Sequence, residues 1–394
     1  IIIFHLIKRK RLFDYTYYRP LNKKNIIIVT HVWFIDILGI IFFCKQELVK
    51  NKPGASAVQS AYSVLPLLGL LGLATVGESK DEILRTTGLS DDDAVTVFPV
   101  VESRLRSIKG VELKTATKVY IPIGYELDDN FAATARNTFG SEVKNVDFTK
   151  SGETAKEIND WVEDQTNHRI KDLVDPNTLD QDTRAVLVNA LYFKGSWKQK
   201  FDSRYTVERD FHVTKDNTVK LPFMFQKNDF EYYESQDLDA KFLKLPYEGE
   251  EASFVIVLPN QIDGLEALEK NLTPEAFNNA MSNLRKVEVN VHIPKFKIET
   301  TTDLKAIGIN ALFDPSKARI DKLLKESKNL FVSNAVQKAF LEVNEEGAEA
   351  AAANEFGVRG YSLITPELVF NADHPFVLAL LQGKTTLFDG IFRA

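Results

Sequence analysis

The sequence is poor in cysteine and lacks the residue patterns of common enzyme sites. Its one cysteine, Cys44, cannot form a disulfide within the chain, and its place in an apolar run favours an inert buried thiol over a nucleophile. The six histidines form no HExxH motif and no close pair with the cysteine, so we expect no metal site. There is also no GxSxG motif and no glycine-rich phosphate loop, so we predict neither an enzyme nor a cofactor.

An excess of positive charge is missing as well. The 49 Lys and Arg residues are outnumbered by 55 Asp and Glu residues, for a net charge of −6, which argues against a nucleic acid partner because such proteins present a basic surface. Ten of the basic and three of the acidic residues lie in 1–52, which leaves 39 basic and 52 acidic residues for the rest. We therefore predict one acidic domain over residues 47–394, preceded by a foreign, upstream or misassigned segment, residues 1–46.

The longest apolar run, residues 26–44, is close to the ~20 residues that span a bilayer. His31 and Asp36 lie inside it and would be costly in hydrocarbon. No run of small residues follows that would suit signal peptidase cleavage, and the only methionines are Met224 and Met281. We therefore expect neither a membrane anchor nor a signal peptide in this segment.

Periodicity predicts helices early in the chain and strands late. Residues 98–108 and 155–174 have the apolar spacing of amphipathic helices, whereas 113–121 alternate as a strand does. Further strand-like runs cover residues 185–193, 252–259, 287–299, 366–381 and 385–394. This distribution predicts an α+β fold with large antiparallel sheets.

Two stretches near the end of the chain carry a specific resemblance. The segment FNADHPF contains Phe370, Asn371, Ala372, Asp373, His374, Pro375 and Phe376, and it is similar to the C-terminal signature of the serpin family. Upstream, Glu345, Glu346 and Gly347 precede Ala348, Glu349, Ala350, Ala351, Ala352 and Ala353, which resemble the hinge of inhibitory serpins. The similarity covers residues 47–394 and is greatest to insect haemolymph serpins. It implies three β-sheets, eight or nine helices and an exposed reactive-centre loop.

Other positions support the resemblance, and two segments depart from it. Ser60, Ser63 and Asn189 resemble the family's shutter residues, and Trp197 resembles its breach tryptophan. Gln337 stands where many members have a shutter histidine, which leaves the local hydrogen-bond network open. Residues 303–313 are about one helical turn short, and residues 1–46 match nothing in the family.

The residues that follow Gly347 allow two structural interpretations. Residues 348–353 comprise five alanines and one glutamate, and alanine favours a solvated helix. The serpin resemblance instead implies an exposed loop that later enters a sheet as a strand. Small side chains suit that insertion because they displace no neighbours, and strand alternation puts Ala348 and Glu349 on opposite faces.

Counting along the family pattern predicts the bond that a protease would cleave. In serpins its first residue lies sixteen positions after the hinge glutamate, which leads from Glu345 to Tyr361; counting back nine residues from Phe370 gives Tyr361 again. A Tyr361–Ser362 bond suits the apolar pocket of chymotrypsin-like proteases. Arg359 is the alternative, for a trypsin-like enzyme, and Phe356 is a more distant one.

The resemblance therefore implies a secreted, extracellular and monomeric protease inhibitor whose partner is a chymotrypsin-like serine protease held in a covalent complex. A non-inhibitory carrier or chaperone is the alternative, which a bulky or proline-bearing hinge would favour. Residues 271–273 (NLT) fit a glycosylation pattern, although the following Pro274 weakens it.

Overall fold

The structure, a computed structural model, describes residues 54–326, 328–347 and 367–394. Within these ranges there are seven α-helices: α1 (Ala61–Ala74), α2 (Gly77–Thr87), α3 (Asp91–Arg106), α4 (Asp129–Phe139), α5 (Ser151–Gln165), α6 (Leu265–Asn271) and α7 (Pro274–Asn283). Short 3-10 turns cover Pro176–Thr178, Ser203–Tyr205, Leu304–Ile307 and Ala311–Phe313. The division between residues 1–46 and 47–394 falls outside the described ranges and stays a prediction.

The described ranges also contain fourteen strands, ten of which lie in the second half of the chain. They are β1 (Ala57–Gln59), β2 (Val111–Pro122), β3 (Glu142–Val146), β4 (Val186–Gly195), β5 (Val207–Thr214), β6 (Asn217–Ser235), β7 (Ala240–Pro246), β8 (Ala252–Pro259), β9 (Arg285–Pro294), β10 (Phe296–Asp303), β11 (Asn334–Val343), β12 (Val369–Asn371), β13 (Phe376–Gln382) and β14 (Thr385–Phe392). The α+β class predicted from periodicity is confirmed.

Five strands form one sheet in the order β10–β11–β4–β2–β3. Its central pair, β11 and β4, is parallel and registered from Asn334 opposite Val186 to Leu341 opposite Phe193; we call this boundary the seam. Even-numbered residues of β4 pack under α5, while Leu191 and Phe193 face the main core. Because both faces are covered, β4 is apolar along nearly its whole length.

The remaining nine strands are joined by hydrogen bonds into a second sheet. The described residues therefore form two sheets, where three were expected. The cause is β6, which is 19 residues long. Its first half pairs with β5 and its second half with β7, while β9 runs alongside both halves. One strand thus continues through two layers that would otherwise count as separate sheets.

Three predicted elements differ from the sequence pattern. The strand expected over 366–381 divides into β12 and β13, with residues 372–375 between them. The helix expected over 155–174 stops at Gln165, because Asn167, His168 and Asp172 have positive φ angles of 52°, 58° and 50°, which an α-helix cannot contain. The strand expected over 287–299 divides between β9 and β10 at Pro294 and Lys295. The short segment 303–313 forms two 3-10 turns in place of an α-helix.

Candidate functional site

The seam ends where the chain leaves β11. From Asn344 to Gly347 the backbone turns, with the Gly347 amide donating to the Asn344 carbonyl at 3.2 Å, and the described chain resumes at Glu367. The predicted insertion and cleavage residues therefore lie outside the described residues: Ala348, Glu349, Ala350, Ala351, Ala352, Ala353, Phe356, Arg359, Tyr361 and Ser362. The structure does place the turn that precedes them.

Trp197 ties this turn to the end of β4. Its indole Nε1 donates to the Asn344 carbonyl at 2.8 Å, and its backbone amide donates to the Glu346 carbonyl at 3.1 Å. The ring stacks on buried Tyr247 with centroids 4.5 Å apart. The indole is thereby held in the core, while its polar edge binds the turn at the end of the seam near Leu341 and Phe193.

Gly347 lies where only glycine fits. Its φ of +83° is in the left-handed region, and an added Cβ would come within 2.4 Å of both the Gly195 carbonyl oxygen and the Trp197 amide nitrogen. The close approach lets the turn lie directly against the end of β4. This is the physical basis for the glycine in the predicted hinge.

The two hinge glutamates are anchored to different parts of the surface. Glu346 pairs with Lys200 at 2.9 Å, and Glu345 pairs with Lys295 at 2.8 Å while accepting from the Thr206 hydroxyl at 2.9 Å. Burial alone would raise the pKa of Glu345, but the hydrogen bonds from Lys295 and Thr206 outweigh it and hold this pKa below the usual value. The Glu345 carboxylate is therefore ionised at neutral pH, which keeps the turn attached.

Halfway down the seam, Gln337 on β11 and Asn189 on β4 meet the start of α1 in a buried polar network. The two hydrogens of Gln337 Nε2 are shared among the Ser60 carbonyl (2.8 Å), Ser63 Oγ (2.8 Å) and Asn189 Oδ1 (2.9 Å). Ser63 Oγ in turn donates to Asn189 Oδ1 at 2.7 Å. The glutamine amide thus supplies donors that satisfy this network in place of the histidine found in many family members.

Asn189 also links the network to the next strand. Its Nδ2 donates to the Thr117 hydroxyl on β2 at 3.0 Å and to the Ser63 carbonyl at 3.0 Å. Ser60 caps α1 by accepting from the Ser63 amide at 3.2 Å, which explains the serine at the first of these two positions. Three strands and one helix are therefore held by a single set of hydrogen bonds.

Replacing Gln337 with methionine is expected to lower the free energy of unfolding by on the order of 3 kcal/mol, because several buried acceptors lose their donor without a change in volume. Gln226→Met is a matched control, since this buried glutamine donates one hydrogen bond, to the Gln199 carbonyl at 3.2 Å. Its cost should be about 1 kcal/mol. Urea unfolding of both variants measures the difference, and equal losses would contradict the network's importance.

A strap of irregular backbone crosses the seam after α5. On one side Asn167 donates to Glu112 of β2 at 3.2 Å. On the other side buried Lys338 of β11 donates to the Lys171 carbonyl and pairs with Glu299 at 2.5 Å. Residues 166–174 therefore span the boundary between β11 and β4 and are pinned on both sides of it.

Sequence reasoning missed Lys338, because a lysine in a strand usually points to solvent. Its signal was its position in the mostly apolar run 335–341, where alternation puts it on the face under α5. Thr117 and Asn344 were missed as well. Nothing local distinguishes them from other polar residues, since their partners are 72 and 147 positions away.

The predicted signature residues are structural. Phe370, Ala372 and Phe376 are fully buried, and β12 pairs in parallel with β9. His374 contacts the Asp373 carboxylate through Nδ1 at 2.8 Å and the Pro259 carbonyl through Nε2 at 2.7 Å. These contacts join the returning chain to the nine-stranded sheet.

Comparisons with known proteins agree with this architecture. A family model described as "Serpin (serine protease inhibitor)" matches residues 42–393. Among curated proteins, Alaserpin of Manduca sexta is 54% identical over 352 residues, covering 88% of this chain and 89% of that protein. Antichymotrypsin-2 and Antitrypsin of Bombyx mori are 50% and 49% identical, covering 88% of this chain and 94% and 90% of theirs.

Among solved structures, Serpin48, described as a highly specific serpin of the insect Tenebrio molitor, superposes with a TM-score of 0.82 at 33% identity. The superposition covers 95% of this chain and 100% of that one. The expected fold is therefore confirmed, although the described ranges hold fewer α-helices than the eight or nine implied. None of the helices in the described part of the chain has the length and apolar character needed to cross a bilayer.

Proposed function

Because this chain belongs to the serpin family of serine protease inhibitors, we propose that it is an inhibitory member that traps a chymotrypsin-like serine protease at the Tyr361–Ser362 bond. The cleaved loop then enters the five-stranded sheet at the seam. We further propose that the protein acts as a secreted monomer, in keeping with its resemblance to haemolymph serpins.

The observation that carries this proposal is the parallel pairing of β11 with β4. A chain that leaves β11 and folds back runs antiparallel to both strands, so it can hydrogen-bond to each of them. The turn at Asn344–Gly347 lies at the end of the seam where such a return must begin. At ~3.3 Å per residue, residues 348–361 would extend about 45 Å, enough to fill the seam from end to end.

Insertion also accounts for the small residues in 348–353. At the end of the seam next to the Asn344–Gly347 turn, the core side is lined by buried side chains, those of Leu341, Val343 and Phe193. A large side chain entering there would have to displace them, whereas alanine needs little space. The new strand would move β11 from β4 by about 4.8 Å, so the strap contact between Lys338 and the Lys171 carbonyl must yield during the reaction.

The chemistry is that of an interrupted proteolysis. The protease serine oxygen attacks the Tyr361 carbonyl carbon, the Tyr361–Ser362 bond breaks, and the Ser362 amine leaves with a proton from the protease histidine. The inhibitor remains as an ester on the serine. Insertion carries this ester to the far end of the seam and distorts the protease before water can hydrolyse it.

Target specificity rests on the residue at the cleaved bond. Relatives of nearly equal identity bear the names Antichymotrypsin-2 and Antitrypsin, so overall similarity does not separate the two classes. Tyr361 fits an apolar primary pocket, and Arg359 two residues earlier is the trypsin-type alternative. The spacing from both Glu345 and Phe370 favours Tyr361.

Mixing the full-length protein with chymotrypsin should produce a complex that survives SDS, and sequencing the released fragment should give a new terminus at Ser362. Chymotrypsin with its serine chemically blocked is the control and should give no such complex. A terminus at Gly360 would instead assign the site to Arg359 and a trypsin-like target. Cleavage without any complex would support the carrier or chaperone alternative.

A further inference from the structure

A cavity of about 260 Å³ lies between α1, α3 and β2. The last residues of α4 and α5, Phe139 and Gln165, also line it. Its volume is slightly below the roughly 300–1,000 Å³ of typical ligand pockets, so a ligand that fits it is small, with about ten non-hydrogen atoms. We call this space the α1–α3 cavity.

Three aromatic side chains line the α1–α3 cavity: Tyr62 of α1, Phe98 of α3 and Phe139 of α4. All three are buried, and the rings of Phe98 and Phe139 meet with centroids 5.5 Å apart. A Cβ added to Gly69 of α1 would come within 2.6 Å of Phe98 Cε2, so the glycine lets this pair pack against α1. Aromatic rings give an apolar wall that also attracts cations, because the ring faces carry partial negative charge.

A proline inside α1 leaves a backbone acceptor in the wall of the cavity. Pro66 lies within α1 and has no amide hydrogen, so the Tyr62 carbonyl lacks the hydrogen bond that a residue four positions later normally gives in a helix. Tyr62 and Pro66 both line the cavity, and Tyr62 is only 7% exposed. A buried carbonyl without a donor costs free energy, so an N–H group of a ligand is favoured here.

The charges around the cavity favour a cation. α4 ends at Phe139 and α5 at Gln165, and the carboxyl end of a helix carries a partial negative charge. The Glu102 carboxylate lies beside the cap of α4, since its Oε1 would be 3.4 Å from a Cβ added to Gly140. Burial, and then the charge of Glu102, raise the pKa of the Tyr62 phenol, so the phenol stays neutral at neutral pH.

Two of the described lining residues narrow the class of cation. Glu102 is the only carboxylate among them, whereas a bare metal ion such as Ca²⁺ needs six or more oxygen ligands. Lys114 is their only basic side chain; it is 40% exposed and pairs with Glu112 at 3.4 Å, so its charge is partly neutralised and solvated. A ligand with one positive nitrogen and an apolar body therefore fits better than a metal ion.

We propose that the α1–α3 cavity binds a small organic ammonium ion. The Glu102 carboxylate and the Tyr62 carbonyl accept hydrogen bonds from the ammonium group, and the apolar body of the ligand packs against Phe98 and Phe139. This binding is separate from the inhibition of a protease and requires neither the loop nor its cleavage.

Tyramine, an aromatic primary ammonium ion, tests the proposal when it is titrated calorimetrically into the full-length, uncleaved protein. A ligand with about ten non-hydrogen atoms is expected to bind with a Kd on the order of 0.1–1 mM. Tyrosol has a hydroxyl group in place of the ammonium group and is the neutral control. It should bind at least about tenfold more weakly, because it forms no charge-assisted hydrogen bond with Glu102.

Two variants test the two acceptors separately. Glu102→Gln removes the charge at nearly constant volume and should raise the Kd of tyramine about tenfold. Pro66→Ala restores an amide that can donate to the Tyr62 carbonyl, so it should raise the Kd roughly threefold or more. Glu275→Gln is the matched control, because Glu275 is an exposed residue in the first turn of α7, and it should leave the Kd unchanged.

The comparison of tyramine with tyrosol needs no variant, so it decides the question even if a substitution impairs folding. No binding of tyramine at about 10 mM, far above the expected Kd, would overturn the proposal, as would equal affinities for the two ligands. An unchanged Kd in either Glu102→Gln or Pro66→Ala would contradict the placement of the ammonium group. None of these measurements involves a protease, so failure here leaves the proposed inhibitory function intact, and the reverse is also true.

Discussion

Replacing Ala348 with arginine is expected to convert the inhibitor into a substrate. In the proposed inserted strand, Ala348 would be the first side chain after the Gly347 turn to face the core side of the seam. There it would meet Leu341 and Val343, which are buried. An unpaired guanidinium in such surroundings costs several kcal/mol, and each 1.4 kcal/mol slows insertion about tenfold. Hydrolysis of the ester then outpaces trapping.

The measurement is the number of moles of inhibitor consumed per mole of protease inactivated. It should rise from about one to well above ten for Ala348→Arg, since slower insertion leaves more time for deacylation. Glu349→Arg is the matched control. In an inserted strand, alternation would direct this position to the opposite face from Ala348, the face that carries half-buried Glu342 and Lys194, so the ratio should change little. Equal ratios for both variants would mean that insertion does not begin at Ala348.

Cleavage near Tyr361 is expected to raise the melting temperature, by on the order of 10 °C. A break in a chain normally adds conformational freedom and lowers stability, so the sign of the change is diagnostic. The freed residues 348–361 can hydrogen-bond to β11 on one side and β4 on the other, and each such bond contributes roughly 0.5–1.5 kcal/mol net. Ordering the strand offsets much of this gain, so the excess reflects strain that the uncleaved sheet retains.

Thermal melts before and after limited proteolysis measure this effect. The Ala348→Arg variant, cleaved at the same bond, serves as the control and should gain less because its hinge resists burial. If the melting temperature of the unmodified protein falls or stays level, the loop does not insert. The carrier or chaperone function would then replace the inhibitory one, and the serpin fold would remain.

The polar network at the seam illustrates how far sequence reasoning reaches. Resemblance to family positions identifies Ser60, Ser63 and Asn189, but it does not decide whether Gln337 completes the network. That depends on distances between residues separated by 148 to 277 positions. Periodicity cannot supply such distances, since it reports which face a side chain occupies and not what lies opposite.

Features with local causes can be read from the amino acids alone. They include the class of fold, the alternating pattern of β2 and the apolar strand β4, because spacing and propensity act over a few residues. The glycine of the hinge turn and the signature around Phe370 were identified by resemblance to the family, and the close approach that requires the glycine is to Gly195 and Trp197, far away in the chain. Three other features emerge only in the folded chain: β6 joins two layers, α5 ends at Gln165, and Lys338 pins the strap to β11. Each of these depends on strand order and on partners distant in the chain, which local patterns do not encode.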